Sequence, residues 1–297
     1  MRNVTVAATQ MACGTDTEKN IANAERLIRE AAAKGANIIL IQELFETQYF
    51  AQVESYDYLA LAKPMEGHPT IARMAALAKE LNVVLPISFY EDAGLVKYNA
   101  IAIIDADGTC LGKYRKVHIP EDPGYYEKFY FSPGDLGFRV WDTKYGKIGV
   151  GICWDQWFPE AARIMALMGA EILFYPTAIG TFAVPPEELE NEILDYDHWQ
   201  NVMLGHAAAN MTPVVASNRI GDEYMGDTVV RFWGESFISD NRGNILSEAD
   251  TSSETILLET FDRDELRRYR DEVCVFRDRL PDRYKKLLTL DGEHMLD

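Results

Sequence analysis

The chain has 297 residues, 47% of them apolar, enough for a large buried core, and no run approaches the roughly 18 apolar residues that a membrane-crossing helix needs. Its 47 acidic residues outnumber 29 basic ones, a formal charge of −18 that repels nucleic acid and anionic membrane surfaces and favours encounter with a cationic ligand. Four widely spaced cysteines, Cys13, Cys110, Cys153 and Cys274, contain no CxxC pair, which argues against a disulfide framework or a zinc cluster. The first residues run straight into Val4-Thr5-Val6-Ala7-Ala8 without a charged leader, so a soluble cytoplasmic protein is expected.

Strand and helix periods alternate from the start. Val4 to Gln10 reads as a strand, Glu18 to Lys34 as an amphipathic helix capped by Asp16 or Thr17 and stopped by Gly35, and Ile38 to Gln42 as a buried strand. A second unit has a helix from Pro69 to Leu81, then the strand Val83 to Phe89. Asn99 to Asp105, the turn Asp107-Gly108 and Cys110 to Lys116 read as an antiparallel hairpin. Alternation then resumes: strand Lys147 to Ile152, helix Pro159 to Met168, strand Ile172 to Tyr175, helix Tyr196 to Asn210, strand Pro213 to Asn218. Late strands around Glu235 to Ser239 and Thr255 to Glu259 are expected to form a hairpin through Asn241-Arg242-Gly243. No linker-like composition divides the chain, so residues 1–297 are expected to form one domain of mixed sheets covered by helices. The tail 273–297, rich in Arg, Tyr and Leu but without a strong period, suits a segment that packs on another surface.

The segment that carries most chemistry is Gly146-Lys147-Ile148-Gly149-Val150-Gly151-Ile152-Cys153-Trp154-Asp155, followed by Phe158-Pro159. An apolar strand ends at the cysteine and a helix begins shortly after, which puts the thiol on a tight strand-to-helix turn where backbone N–H groups can receive an oxyanion and stabilise a thiolate. A cysteine beside Ile and Trp is also, more often, an inert small hydrophobe. Glu43 directly follows a buried strand, where burial would suit a carboxylate to act as a base; the plain alternative is a strand-terminal charge near solvent. Lys116 ends a hairpin strand, and its plain alternative is a surface basic run.

Gln42-Glu43-Leu44-Phe45, Tyr114-Arg115-Lys116-Val117-His118 and Gly151-Ile152-Cys153-Trp154-Asp155 together resemble the nitrilase superfamily of carbon-nitrogen hydrolases, and the resemblance runs along almost the whole chain. It implies an α/β four-layer α-β-β-α sandwich, commonly paired into a homodimer or higher homo-oligomer with the C-terminal tail reaching across. It implies a catalytic triad of Glu43, Lys116 and Cys153, with Glu127 of Tyr126-Glu127-Lys128-Phe129 as a second glutamate. It also implies that no metal or organic cofactor takes part, that Lys116 favours the thiolate, and that Trp154, Thr177, Tyr126 and Phe182 meet the substrate.

Within the superfamily the segments Gly124-Tyr125-Tyr126-Glu127, Tyr175-Pro176-Thr177-Ala178-Ile179-Gly180 and Ala216-Ser217-Asn218-Arg219-Ile220-Gly221 are similar to the amidases of N-carbamoylputrescine. The implied substrate is a small carbamoyl amine, and its ammonium end needs a carboxylate or an aromatic cage. That branch carries an acidic residue just after the Ala-Ile-Gly turn, where this chain has Thr181-Phe182. Either a glutamate of the stretch Glu187 to Glu192 replaces it, or Phe182 signals another amine or a less polar tail; the stretch also reads as a solvated helix start. The other readings are an amidase of β-ureido acids or N-carbamoyl amino acids, which would place arginine in the pocket, an ω-amidase, and a catalytically silent interaction module.

Overall fold

The computed structural model describes residues 2–294. At its centre the strand Asn3–Ala12 pairs antiparallel with Thr255–Asp262 and parallel with Ile38–Leu40, and near its end parallel with Arg219–Met225. Arg219–Met225 turns back through an antiparallel partner, Thr228–Trp233. A bridge between Ile38 and Val84 continues this sheet toward the antiparallel strands Leu85–Asp92, Lys97–Ile104 and Cys110–Arg115. The second sheet runs in the order Ile245–Glu248, Phe237–Ser239, Val214–Ser217, Ile172–Pro176, Gly146–Val150, Val140–Thr143.

Side-chain alternation along these strands builds the layers. Val4, Val6 and Ala8 face Ile148, Val150, Phe174 and Val215 between the two sheets. The opposite face, with Ala7, Met11, Ile39 and Leu85, lies under the helices Thr17–Ala33 and Pro69–Leu81. On the second sheet Leu173, Tyr175, Val214 and Ala216 lie under Pro159–Leu167 and Tyr196–Asn210. The order is therefore helix, sheet, sheet, helix, as the resemblance implies. Local chemistry fixes the helices: Asp16 accepts the Lys19 N–H at 3.2 Å, Ile21, Ala24, Leu27, Ile28 and Ala31 bury one face, and Gly35 follows with φ of 97°.

One strand pairing needs correction. The turn Asn241-Arg242-Gly243 joins Phe237–Ser239 to Ile245–Glu248, while Thr255–Asp262 crosses to the other sheet and pairs with the first strand. The hairpin 219–233, the helix Arg263–Val273 and the single helical turn Glu127–Tyr130 were not expected. Their sequences are too polar or too short to show an apolar period: Gly221-Asp222-Glu223 interrupts the first, and Arg263–Val273 buries only Leu266. In the tail, the guanidinium groups of Arg163 and Arg270 lie 5.0 and 5.7 Å from the Phe276 ring, and Leu280, Leu287, Leu288 and Leu290 are exposed. Among the described residues, no helix is long and apolar enough to cross a membrane.

Candidate active site

The ends of neighbouring strands gather the chemistry at one edge of the sandwich, the place where open α/β sheets hold their sites. Ile38–Leu40 stops short of the expected Gln42, and Leu44 takes a left-handed φ of 47°, so the chain bends at Glu43. Lys116 directly follows Cys110–Arg115, with its N–H on the Asn99 carbonyl at 2.9 Å. Glu127 opens the turn Glu127–Tyr130. Cys153 follows Gly146–Val150, adopts φ of 44° and opens the 3-10 turn Cys153–Trp157. Such a φ is costly for a residue with a Cβ and persists only where the surroundings hold it. Asp155 braces this elbow: Oδ2 accepts the Ile152 N–H at 3.0 Å and the Tyr114 hydroxyl at 2.7 Å, while Oδ1 accepts the His118 N–H at 3.0 Å.

Glu43 and Lys116 are fully buried and Glu127 is 1% exposed. The Lys116 ammonium donates to Glu43 Oε1 at 2.9 Å and to both Glu127 oxygens at 2.9 and 2.7 Å. Asn99 Nδ2 donates to Glu43 Oε1 at 2.6 Å, and the Tyr49 hydroxyl donates to Glu127 Oε1 at 2.5 Å. Glu43 Oε2 is buried without a partner, a free acceptor for a proton. The Cys153 sulfur lies 3.8 Å from the Ala178 carbonyl and within the fields of Glu43, Lys116 and Glu127.

These fields decide the resting protonation states. Burial pushes the Cys153 thiol well above its ordinary value, and the Glu43 charge adds to this; the Lys116 ammonium only partly opposes it. Lys116 itself favours the thiolate, and burial together with the Glu43 charge outweighs it. Lys116 itself would lose its charge through burial, but Glu127 and Glu43 more than restore it. Burial likewise pushes the Glu127 carboxyl up to about 7, against the pull of Lys116 and with the Glu43 charge adding.

A pH dependence follows from this arrangement. Below about pH 7 Glu127 takes up a proton and Lys116 loses one of its two counter-charges, so kcat/KM is expected to rise with pH through a limb near 7. The Tyr49 hydroxyl bond favours the ionised Glu127, so Tyr49→Phe moves that limb upward. A pH–rate profile with the limb near the ordinary carboxylate range of about 4 to 5, or no displacement in the variant, contradicts the assignment.

A cavity of about 510 Å³ opens at the sulfur. Its walls include Tyr125, Trp154, Trp157, Ile179, Phe182 and Trp233, with the carboxylates Asp122, Glu192 and Asp195. Trp154 and Phe182 thus stand where the sequence suggests. Thr177 and Tyr126 do not line the cavity. The Thr177 hydroxyl donates to Gln156 Oε1 at 2.9 Å and its carbonyl accepts the Glu43 N–H at 3.3 Å; Tyr126 donates its N–H to the Ala51 carbonyl at 2.8 Å, ahead of Glu127. Both hold site residues from behind. Of the acidic stretch, Glu187 and Glu188 are exposed, Glu190 pairs with Arg231 at 3.0 Å, and Glu192 reaches the cavity wall.

Sequence reasoning missed Tyr49, Asn99, Tyr125, Asp122 and Asp195. Tyr125 lay within a segment already singled out: its hydroxyl accepts the Gly180 N–H at 2.8 Å and donates to the Thr181 carbonyl at 3.1 Å, shaping the wall beside the sulfur. Gly180 is required there, since a Cβ would sit 2.2 Å from the Arg231 carbonyl oxygen. Tyr49 and Asn99 give no local signal, because their roles exist only across elements.

The carbon-nitrogen hydrolase family matches residues 5–271. The N-carbamoylputrescine amidase of Arabidopsis thaliana is 59% identical over 296 residues, covering 98% of this chain and 97% of that one. A citrullinase of Francisella tularensis is 50% identical, covering 97% of this chain and 99% of that one. The crystal structure of a carbon-nitrogen hydrolase from Helicobacter pylori G27 superposes with a TM-score of 0.88 at 38% identity, over 97% of this chain and 99% of that one. With sequence, layer order and a Glu-Lys-Cys constellation at the strand ends in agreement, the chain belongs to the carbon-nitrogen hydrolases of the nitrilase superfamily.

Proposed function

We propose that the protein hydrolyses N-carbamoylputrescine to putrescine, carbon dioxide and ammonia, with Cys153 as nucleophile. The observation that carries the substrate choice is the cavity wall: among the described residues it holds three carboxylates, Asp122, Glu192 and Asp195, beside Trp157 and Tyr125, and no lysine or arginine. An ammonium tail finds charge-assisted partners there, and the net charge of −18 favours its approach. A carboxylate-bearing tail, as in N-carbamoyl amino acids or citrulline, would stand against three like charges with no arginine fork to receive it.

In the proposed reaction Glu43 Oε2 takes the thiol proton as the sulfur attacks the carbamoyl carbon. The Lys116 ammonium and the Trp154 N–H, one of the first N–H groups of a turn and so without an intrahelical acceptor, receive the developing oxyanion. Glu43 returns the proton to the departing ammonia, leaving the carbonyl bound to sulfur. Water activated by Glu43, with Glu127 keeping Lys116 charged and in place, releases the carbamate, which breaks down to the amine and carbon dioxide.

Ammonia release from N-carbamoylputrescine, citrulline, N-carbamoyl-β-alanine and a simple amide, measured side by side, tests the reading. The first is expected to give the highest kcat/KM by a wide margin; preference for a carboxylate-bearing substrate overturns it. Glu192→Gln and Asp195→Asn are each expected to raise KM for N-carbamoylputrescine about tenfold with kcat nearly unchanged, the loss of one charge-assisted contact. The same variants should leave the uncharged analogue N-carbamoylbutylamine unaffected.

We also infer a homo-oligomer assembled over the C-terminal tail. Its support is the exposed apolar residues Ile164, Leu167 and Met168, which follow Arg163 in the chain, and the tail residues Val273, Val275 and Leu287, which line a hollow together with Arg163. A cytoplasmic setting accords with four unpaired cysteines.

A further inference from the structure

Arg219 is among the largest fully buried side chains of the protein, and the cavity does not include it. It opens the strand Arg219–Met225 and sits behind the site. Its guanidinium donates to Glu223 Oε1 at 2.7 Å, to the Glu43 carbonyl at 2.9 Å and to the Leu44 carbonyl at 3.0 Å. The plane also lies 5.1 Å from the Phe232 ring and 5.7 Å from the Tyr49 ring. The other oxygen of Glu223 accepts the Tyr49 N–H at 2.6 Å, and Tyr49 in turn holds Glu127 through its hydroxyl.

We propose that the buried Arg219–Glu223 pair is a positioning device for the reaction, one that fixes Glu43 through its backbone and Glu127 through Tyr49. This rests on the reading of Glu43 as the base. The backbone at Glu43-Leu44 is where the pair acts, and there Leu44 holds a left-handed φ of 47° that a branched apolar residue does not adopt unaided. Both carbonyls accept from one guanidinium nitrogen while Glu223 holds the other in the same plane, which keeps that bend and with it the direction of the Glu43 carboxylate. Stability alone does not account for the pair. Two ions taken out of water repay their desolvation poorly, and apolar residues of similar volume often serve a fold as well or better. The pair therefore supplies geometry, and both carboxylates that set the charge of Lys116 hang from it.

The test compares three proteins with the wild type: Arg219→Lys, which keeps the charge and loses the fork; the double variant Arg219→Met with Glu223→Leu, which removes both ions together; and Leu27→Ala, a core truncation in the helix Thr17–Ala33 that matches any general loss of stability. Each is measured for melting temperature, for kcat and KM, and for the rate at which iodoacetamide alkylates Cys153. The double variant is expected to fold with little change in melting temperature, yet to lose kcat about 30- to 100-fold, with KM within about threefold. Arg219→Lys is expected to fall between it and the wild type, and Cys153 alkylation to slow in the same order. Leu27→Ala is expected to melt earlier with kcat intact. A folded double variant with wild-type kcat and alkylation rate overturns the proposal, as does a kcat loss that Leu27→Ala reproduces at equal melting temperature. Glu43→Gln, run alongside, separates the two levels: if it retains activity the base assignment fails, whereas an inactive Glu43→Gln with an active double variant removes the positioning role alone.

Discussion

Cys153→Ser is expected to lower kcat for N-carbamoylputrescine by about four orders of magnitude or more, with the fold intact. The substitution replaces sulfur by a smaller oxygen at a buried position and leaves the elbow, the Asp155 brace and the cavity walls in place, so stability should change little. What is lost is nucleophilicity. A hydroxyl proton is held far more tightly than a thiol proton, and here even the thiol is held above its ordinary value by burial and by Glu43. The base therefore faces a proton it cannot draw off at a useful rate. Ammonia release, together with the melting temperature, reads the outcome; turnover within about tenfold of the wild type would remove Cys153 from the role.

Lys116→Met is expected to cost both activity and stability. Without the ammonium, Glu43 and Glu127 face each other in a dry site with no counter-charge, and breaking a buried ion pair by removing one partner costs about 3–5 kcal/mol. For a chain of this size that corresponds to a fall of roughly 10 °C in melting temperature. One carboxyl then keeps a proton that it would release in the unfolded chain. Its folded pKa is thus raised, so stability is present below the unfolded value near 4.5 and is lost as pH rises through the folded one. The wild-type Glu127 keeps its own proton below about pH 7, so the gap between variant and wild type should widen above that pH, where the wild type has released it and the variant has not. Activity falls by about 10²- to 10³-fold at least, since the oxyanion loses a charged donor. A variant as stable as the wild type at pH 8 would show that the carboxylates do not depend on Lys116.

Much of the architecture was legible in the sequence because it is locally encoded. Asp16 and Gly35 bound the first helix, Pro69 and Pro159 open two others, and continuous apolar runs at Ile38 and Ile172 mark strands covered on both faces. What was not legible is pairing at a distance. Nothing near Thr255 says that its strand will lie beside Gln10, so the nearest turn was given to the wrong partner. The site divides in the same way. Glu43, Lys116, Glu127 and Cys153 stand in recognisable segments, but Tyr49, Asn99 and Arg219 act through bonds between elements far apart in the chain. The balance at the sulfur was not legible either, because the pull of Lys116 toward the thiolate is outweighed by burial and by the Glu43 charge, and only the fold sets both.

The most direct measurement is alkylation with limiting iodoacetamide, followed by peptide mapping of all four cysteines and by residual ammonia release on the same samples. The account predicts that activity declines one for one with modification of Cys153, that modification of exposed Cys110 leaves it untouched, and that putrescine slows both the loss and the labelling of Cys153. Full activity in protein whose Cys153 is stoichiometrically alkylated would contradict it.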